Sequence, residues 1–329
     1  MREFCFMCFF GTILGTMSQK RLLTGVQSSG QLHIGNYFGA LKPFRDVYTD
    51  YESMLMVADY HSITSVRDPE LLRSNTLDAV RDYLAIGIDP EKAIIFKQSD
   101  VLEHMELGWI FDCLVTVPFL MQAHAYKDRV AKGLEANAGL FTYPMLMAAD
   151  ILLYDTDVVP VGEDQRQHIE YAREAATKFN NTYGDTFIEP KELILSDAGV
   201  VPGTDGQKMS KSYKNTIPLF GSKDAVAKAV MSIVTDSSGE RPENVYAIHS
   251  LVRPKTELEP LYTEHAGSYK VLKEALIEDL ESVIDPMRTK RESISDADIA
   301  AVLARGKEAA RAQAAAKMAT VRKRIGITL

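Results

Sequence analysis

The chain has little cysteine, no long apolar run and no excess of positive charge. Its three cysteines, Cys5, Cys8 and Cys113, are too few for a disulfide framework and lack the second pair of a zinc site. That scarcity points to a reducing, cytoplasmic setting and to no resident metal. No apolar stretch reaches the roughly 18 residues that span a bilayer, which excludes a helical membrane protein. The net charge is −8, so a polyanionic partner needs a local basic surface. Neither the G-x-G-x-x-G of dinucleotide folds nor the Gly-Lys-Ser/Thr of a Walker loop follows the first strand candidate. There is no internal repeat. The remainder is ordinary globular material: 46% hydrophobic and 25% charged residues exclude a disordered or fibrous chain, and 329 residues suit one or two domains.

Residues 1–16 stand apart. Phe4 to Leu14 are mostly apolar behind a nearly neutral start, and no small-residue cleavage site follows. The expectation is an over-long leader, with Met17 opening the protein proper. From Arg21 onward, strand-like runs (21–27, 53–60, 93–98, 158–161) alternate with helical ones (32–48, 68–85, 107–117, 139–154, 164–179). Asp68 is the expected N-cap of its helix, with Pro69 in the first turn. This alternation predicts an α/β fold with a doubly wound parallel sheet over residues 17–215. Beyond Thr216 the strand signals fade. Helices are expected over 222–285 and 288–324, broken at Asp285-Pro286, as a smaller helical region over 216–329. Residues 288–329 hold ten Lys/Arg against four Asp/Glu, a local +6 that hints at a polyanion partner.

Two constellations carry chemistry. The first runs from Thr24 to Asn36 as strand, turn and helix. Gly25 and Gly30 let backbone approach a ligand, Gly35 opens room one turn into the helix, and His33 and Asn36 can donate to phosphoryl oxygens. The second is Lys208-Met209-Ser210-Lys211-Ser212 behind Val201-Pro202-Gly203. Two lysines three positions apart suit phosphoryl or nucleotidyl transfer, where fixed positive charge stabilises a developing negative one. Each pattern alone fits a structural helix start or a solvated basic loop. Their pairing on one chain points to nucleotide chemistry.

HIGN at 33–36 and KMSKS at 208–212 resemble the paired signatures of class I aminoacyl-tRNA synthetases. Residues 139–168, GLFTYPMLMAADILLYDTDVVPVGEDQRQH, are similar to the tryptophanyl branch of that family, and the likeness runs from about Arg21 to Lys214. The resemblance implies an amino acid activated with ATP and passed to a tRNA 3′ end. It implies that Gln27, Ser28, Ser29, Gly35 and Asn36 line the ATP site, with His33 and Asn36 on the phosphates. Gly162, Glu163 and Asp164 would hold the ribose, and Val201 the adenine. Lys208 and Lys211, with Met209, Ser210 and Ser212 of the same loop, would meet the departing pyrophosphate. Mg²⁺ would accompany ATP as its counter-ion. Asp150, the only charge in Met145 to Leu153, would accept the indole N–H of L-tryptophan, a donor-only group. Tyr143, Met147 and Val161 would wrap the ring, and His61 and Gln165 would hold the polar end. The expected assembly is a homodimer, with tRNA(Trp) as nucleic-acid partner. A tyrosyl enzyme and a non-catalytic RNA-binding relative are the rival readings.

Overall fold

A computed structural model describes residues 19–27, 30–162, 166–195, 201–235 and 241–328. The expected leader and start site lie outside these residues. Among the described residues, five parallel strands form one sheet in the order β3-β2-β1-β4-β5: β1 Arg21–Val26, β2 Glu52–Val57, β3 Ala93–Lys97, β4 Val158–Pro160 and β5 Lys191–Leu193. The strand order reverses at β1. The carboxyl ends of β1 and β4 therefore flank the crevice in which doubly wound sheets bind ligands.

The helices, in chain order, begin with α1, a helical run over residues 34–50 with a π-turn at Tyr37–Leu41. There follow α2 Pro69–Ala85, α3 Glu103–Asp112, α4 His124–Ala131, α5 Ala138–Leu152 and α6 Arg166–Tyr183. After the sheet come α7 Lys223–Met231, α8 Glu243–His249, α9 Lys255–Glu264, α10 Tyr269–Ser293 and α11 Asp296–Ile325. No helix among the described residues is long and apolar enough to cross a membrane.

Strand alternation builds the layers. Leu22, Leu55, Val57 and Ile95 face one core with α1, α2 and Leu272, Leu280 and Ile284 of α10. Leu23, Met54, Met56 and Phe96 face the other, with α3, α5 and α6. The C-terminal helices share both cores: Ile299 and Leu303 of α11 join the first, and Ala310, Ala314 and Met318 the second. Strand β3 is a sheet edge, and α11 covers it. Gly306 makes this possible, because a Cβ there would meet the Ile95 carbonyl oxygen at 1.8 Å.

Local rules explain most boundaries. Asp68 caps α2 as expected, accepting from the Glu70 and Leu71 amides at 2.9 and 3.1 Å, with Pro69 at the first helical position. Three expectations are corrected. The second strand ends at Val57 rather than 60, and Asp59–Ser62 is a helical turn. The helix expected at 107–117 spans Glu103–Asp112. Pro286 does not end its helix: α10 continues to Ser293, and the break falls at Ile294-Ser295. A proline removes one helical N–H, and buried Leu280, Ile284 and Met287 anchor the turns on either side of it. Ser295 and Asp298 then start α11 with a reciprocal capping box. The region expected to be helical over 222–285 holds α7 to α9 and most of α10.

Candidate active site

HIGN is a self-locking helix start. His33 is the N-cap of α1; its Nδ1 accepts the Asn36 amide at 3.3 Å, while the His33 amide donates to Asn36 Oδ1 at 3.1 Å. A histidine and an asparagine thus do the work of a Ser-x-x-Glu capping box. Burial, and secondarily the nearby Lys211 charge, lowers the His33 pKa to about 4. The ring is therefore neutral at pH 7. With Nδ1 accepting, Nε2 carries the proton and has no hydrogen-bond partner among the described residues, so it can donate. Asn36 spends its oxygen on the box and keeps its NH₂ to donate. Gly35 is where the two motifs touch: a Cβ there would approach Met209 Cβ to 3.2 Å and His33 Nδ1 to 2.9 Å.

KMSKS closes a hairpin. The Met209 amide donates to the Val201 carbonyl at 2.9 Å, and Gly203 N–H to the Gln207 carbonyl at 2.6 Å. Ser210 caps a single 3-10 turn, Lys211–Tyr213, by accepting from the Ser212 amide. Buried Asn215 pins the loop: its Oδ1 accepts the Ser210 amide at 2.8 Å, and its Nδ2 donates to Asp205 at 2.7 Å and to the Lys208 carbonyl at 3.1 Å. The chain then bonds back to the HIGN helix, Ile34 N–H to Ile217 and Leu219 N–H to Leu32, each at 3.0 Å. These bonds place Lys211 over the start of α1, and Lys208 stays exposed.

Two clefts meet at Lys211. One, of about 280 Å³, is lined by Gly25, Gln27, Gly30, Asn36, Asp82 and Lys211 among others. The second, of about 300 Å³, holds His33, Lys211 and Thr216. Both lie beside the carboxyl end of β1. Gly162 is exposed just past β4, on the other side of the crevice, and Val161 N–H there bonds the Leu193 carbonyl at 3.2 Å. Ser28, Ser29, Glu163, Asp164 and Gln165 lie outside the described residues.

Tyr143, Met147 and Asp150 fall at i, i+4 and i+7 on α5 and share a face. Asp150 is buried but far from solitary. His61 Nε2 lies 2.8 Å from Oδ2, Gln98 Nε2 donates at 2.8 and 3.0 Å, and His104 Nδ1 sits 2.7 Å from Oδ1. Burial raises the carboxyl pKa, but the two histidines outweigh it and hold it at about 2. Asp150 is thus an anion with its donors already in place. Gln98 is itself oriented, its Oε1 accepting the Tyr60 and His61 amides at 3.1 and 3.3 Å. Behind His104, Tyr154 OH meets Nε2 at 2.8 Å. The Tyr143 ring stands 6.2 Å from His61, and Met147 and Val161 pack on the same apolar cluster.

The structure therefore gathers His33, Asn36, Met209 and Lys211 at one place and Tyr143, His61 and Asp150 at another. Sequence reading missed Gln98, His104, Asn75, Asp82 and Asn215. Gln98 follows β3 directly, so its strand-end position was a usable signal; His104 had none. Among the described residues no group of three or more His, Cys, Asp and Glu side chains is placed to hold a metal ion.

Comparison with known proteins gives the chain its family. A family model described as tRNA synthetases class I (W and Y) matches residues 17–317. The tryptophan–tRNA ligase of Fusobacterium nucleatum subsp. nucleatum is 49% identical over 284 residues, covering 84% of this chain and 87% of that protein. That of Rhodopirellula baltica is 45% identical over 318 residues, covering 93% and 99%. The crystal structure of Campylobacter jejuni tryptophanyl-tRNA synthetase, complexed with ADP and tryptophan, superposes with a TM-score of 0.88 at 42% identity, covering 93% of this chain and 99% of that one. The chain belongs to the class I tRNA synthetases of the tryptophan and tyrosine group.

Proposed function

We propose that this chain is a tryptophan–tRNA ligase. The observation that carries the reading is the packing of HIGN against KMSKS at the sheet's switch point, on a chain 45% identical to a tryptophan–tRNA ligase over almost its whole length. In the first step a tryptophan carboxylate oxygen attacks the α-phosphorus of ATP. The bond to the bridging oxygen breaks, and pyrophosphate leaves with the electron pair. A hydroxyl at the tRNA 3′ end then attacks the activated carbonyl, and AMP departs.

The side chains fit these steps. The neutral His33 Nε2–H and the Asn36 NH₂ are donors that approach phosphoryl oxygen without taking its charge. Lys208 and Lys211 carry the charge that the leaving pyrophosphate requires, and losing one such donor typically slows a reaction by about 10²–10³. Mg²⁺ enters with ATP as part of the substrate. Asp150 is the acceptor for the indole N–H, against Tyr143, Met147 and Val161; its two oxygens already take four contacts from His61, Gln98 and His104, so the indole takes the place of one of these donors. Gly162, Glu163 and Asp164 serve the ribose, Val201 the adenine, and His61 and Gln165 the amino acid's polar end.

A homodimer is supported by α3. Leu102 at its N-cap and Met105 and Trp109 within it are exposed, Trp109 at 70%, as are Val117 and Met121 in the turn that follows. The opposite face of α3 packs on α5, so a partner seated there lies one helix away from Asp150. The reaction belongs in the cytoplasm, as the scarcity of cysteine suggests. The test is ATP-dependent charging of tRNA(Trp) with labelled tryptophan by the purified chain. Charged tRNA is expected; its absence, with ATP and Mg²⁺ saturating, would contradict the reading.

A further inference from the structure

The nucleotide cleft contains a carboxylate that the proposed reaction does not use. Asp82 on α2 is 4% exposed and lines the same cleft as Lys211, Gly30 and Asn36. A negative charge beside a site for phosphates repels its own ligand. Burying it is costly unless it is paired.

The pairing comes from the C-terminal helices. Arg291 of α10 donates Nε–H to Asp82 Oδ1 at 2.6 Å and Nη2–H to Asp78 Oδ1 at 2.9 Å. Its guanidinium also lies 5.2 Å over the Phe220 ring. Three residues earlier, Arg288 Nε–H bonds the Gly221 carbonyl at 2.8 Å. Phe220 and Gly221 directly follow the segment that bonds the HIGN helix. One turn of α10 therefore grips both the cleft wall and the chain leaving KMSKS.

Lys211 faces this wall. Burial lowers its proton affinity, and the Asp82 charge opposes that drop. Asp78 Oδ1 also holds Arg81 at 2.6 Å, and Asp82 is the carboxylate of the two that lines the cleft. We propose that Asp82 is a positioning residue for Lys211: held by Arg291, it is the lysine's counter-ion before ATP binds and releases it when the phosphates arrive, tying the C-terminal helices to adenylate formation. The inference rests on the reading of Lys211 as a pyrophosphate contact. A ground-state hold of this kind weakens ATP binding more than it alters the chemical step.

The test is ATP–pyrophosphate exchange with ATP varied at saturating tryptophan, for Asp82→Asn and Lys211→Ala singly and together, with thermal unfolding in parallel. Asp82→Asn should lower KM for ATP several-fold and leave KM for tryptophan unchanged. With Lys211→Ala in place, the same substitution should change KM for ATP less than twofold. Arg291→Gln, which leaves Asp82 without its arginine, should move KM for ATP upward. Equal fold-changes with and without Lys211 would overturn the tie, as would a shift in unfolding temperature alone. If Lys211→Ala left exchange at the wild-type rate, the pyrophosphate role itself would fail and take this inference with it.

Discussion

At the scale of residues, the site is built from charge states that burial and neighbours impose. His33 is neutral because burial and Lys211 disfavour its cation. Its ring should titrate with a midpoint near 4 in the folded protein, read from imidazole NMR shifts, and a midpoint near 6.5 would remove the neutral-donor role. The linkage follows in sign. As pH falls from about 6.5 towards 4, the unfolded chain takes up a proton that folded His33 refuses, so this residue's contribution to stability is lost across that window. Asp150 shows how far one sequence can be read. Its solitary charge in an apolar run was visible, whereas His61, 89 positions away, was expected at the amino acid's polar end and not on Asp150. Gln98 and His104 were not read as its partners, because they arrive from the end of β3 and from α3, and periodicity reports a helix face rather than what packs on it; of the two, only Gln98, at a strand end, carried a signal. The same limit hid Asp82, whose partner Arg291 is 209 positions away. An alanine at 150 would therefore leave His61, Gln98 and His104 facing a cavity rather than opening an apolar slot. Asparagine is the informative replacement.

At the scale of elements, alternating strand and helix signals gave the doubly wound layout, since β1, β2 and β3 bury side chains on both faces and each capped helix announces its start. Strand β5 escaped because Lys191, Glu192 and Leu193 are three residues with two charges, and none of them is fully buried. It exists because β4 offers it a parallel register from Val158 to Pro160. Proline at 286 misled because an anchored helix tolerates one missing bond. HIGN and KMSKS were legible since each is contiguous. Their contact through Gly35 was not, because it depends on how α1 and the hairpin meet. Gly306 lies in α11 where the helix presses on β3. Gly306→Ala should destabilise the fold by about 1–3 kcal/mol, the usual effect of overpacking, although alanine is the better helix former. A thermal unfolding temperature equal to or above wild type would contradict the packing of α11 on Ile95.

At the scale of the whole molecule, the C-terminal helices act as a clasp as much as a surface. Their basic residues suggest a polyanion-binding face in the sequence, yet much of that charge is engaged within the chain. Arg322 pairs with Glu106 on α3, Arg305 with Glu91, Lys317 with Asp155, and Arg288 with Glu281. Arg311 and Lys323 remain exposed, with no ion pair among the described residues. Arg311→Gln with Lys323→Gln should flatten the salt dependence of tRNA binding by roughly one unit of slope for each phosphate no longer neutralised. Arg322→Gln should lower stability instead; the reverse pattern would make Arg322 part of the tRNA face. The central claim is that this fold activates tryptophan with ATP through a pocket centred on Asp150. ATP–pyrophosphate exchange across the twenty amino acids, for the wild type and Asp150→Asn, tests it most directly. The wild type should exchange with tryptophan alone, refusing phenylalanine by about 10⁴ because the buried acceptor is then left unpaired. Asp150→Asn should lose most of its kcat/KM for tryptophan while keeping its KM for ATP. Preferential exchange with tyrosine, no exchange with any amino acid, or an Asp150→Asn variant of undiminished tryptophan preference would contradict the account.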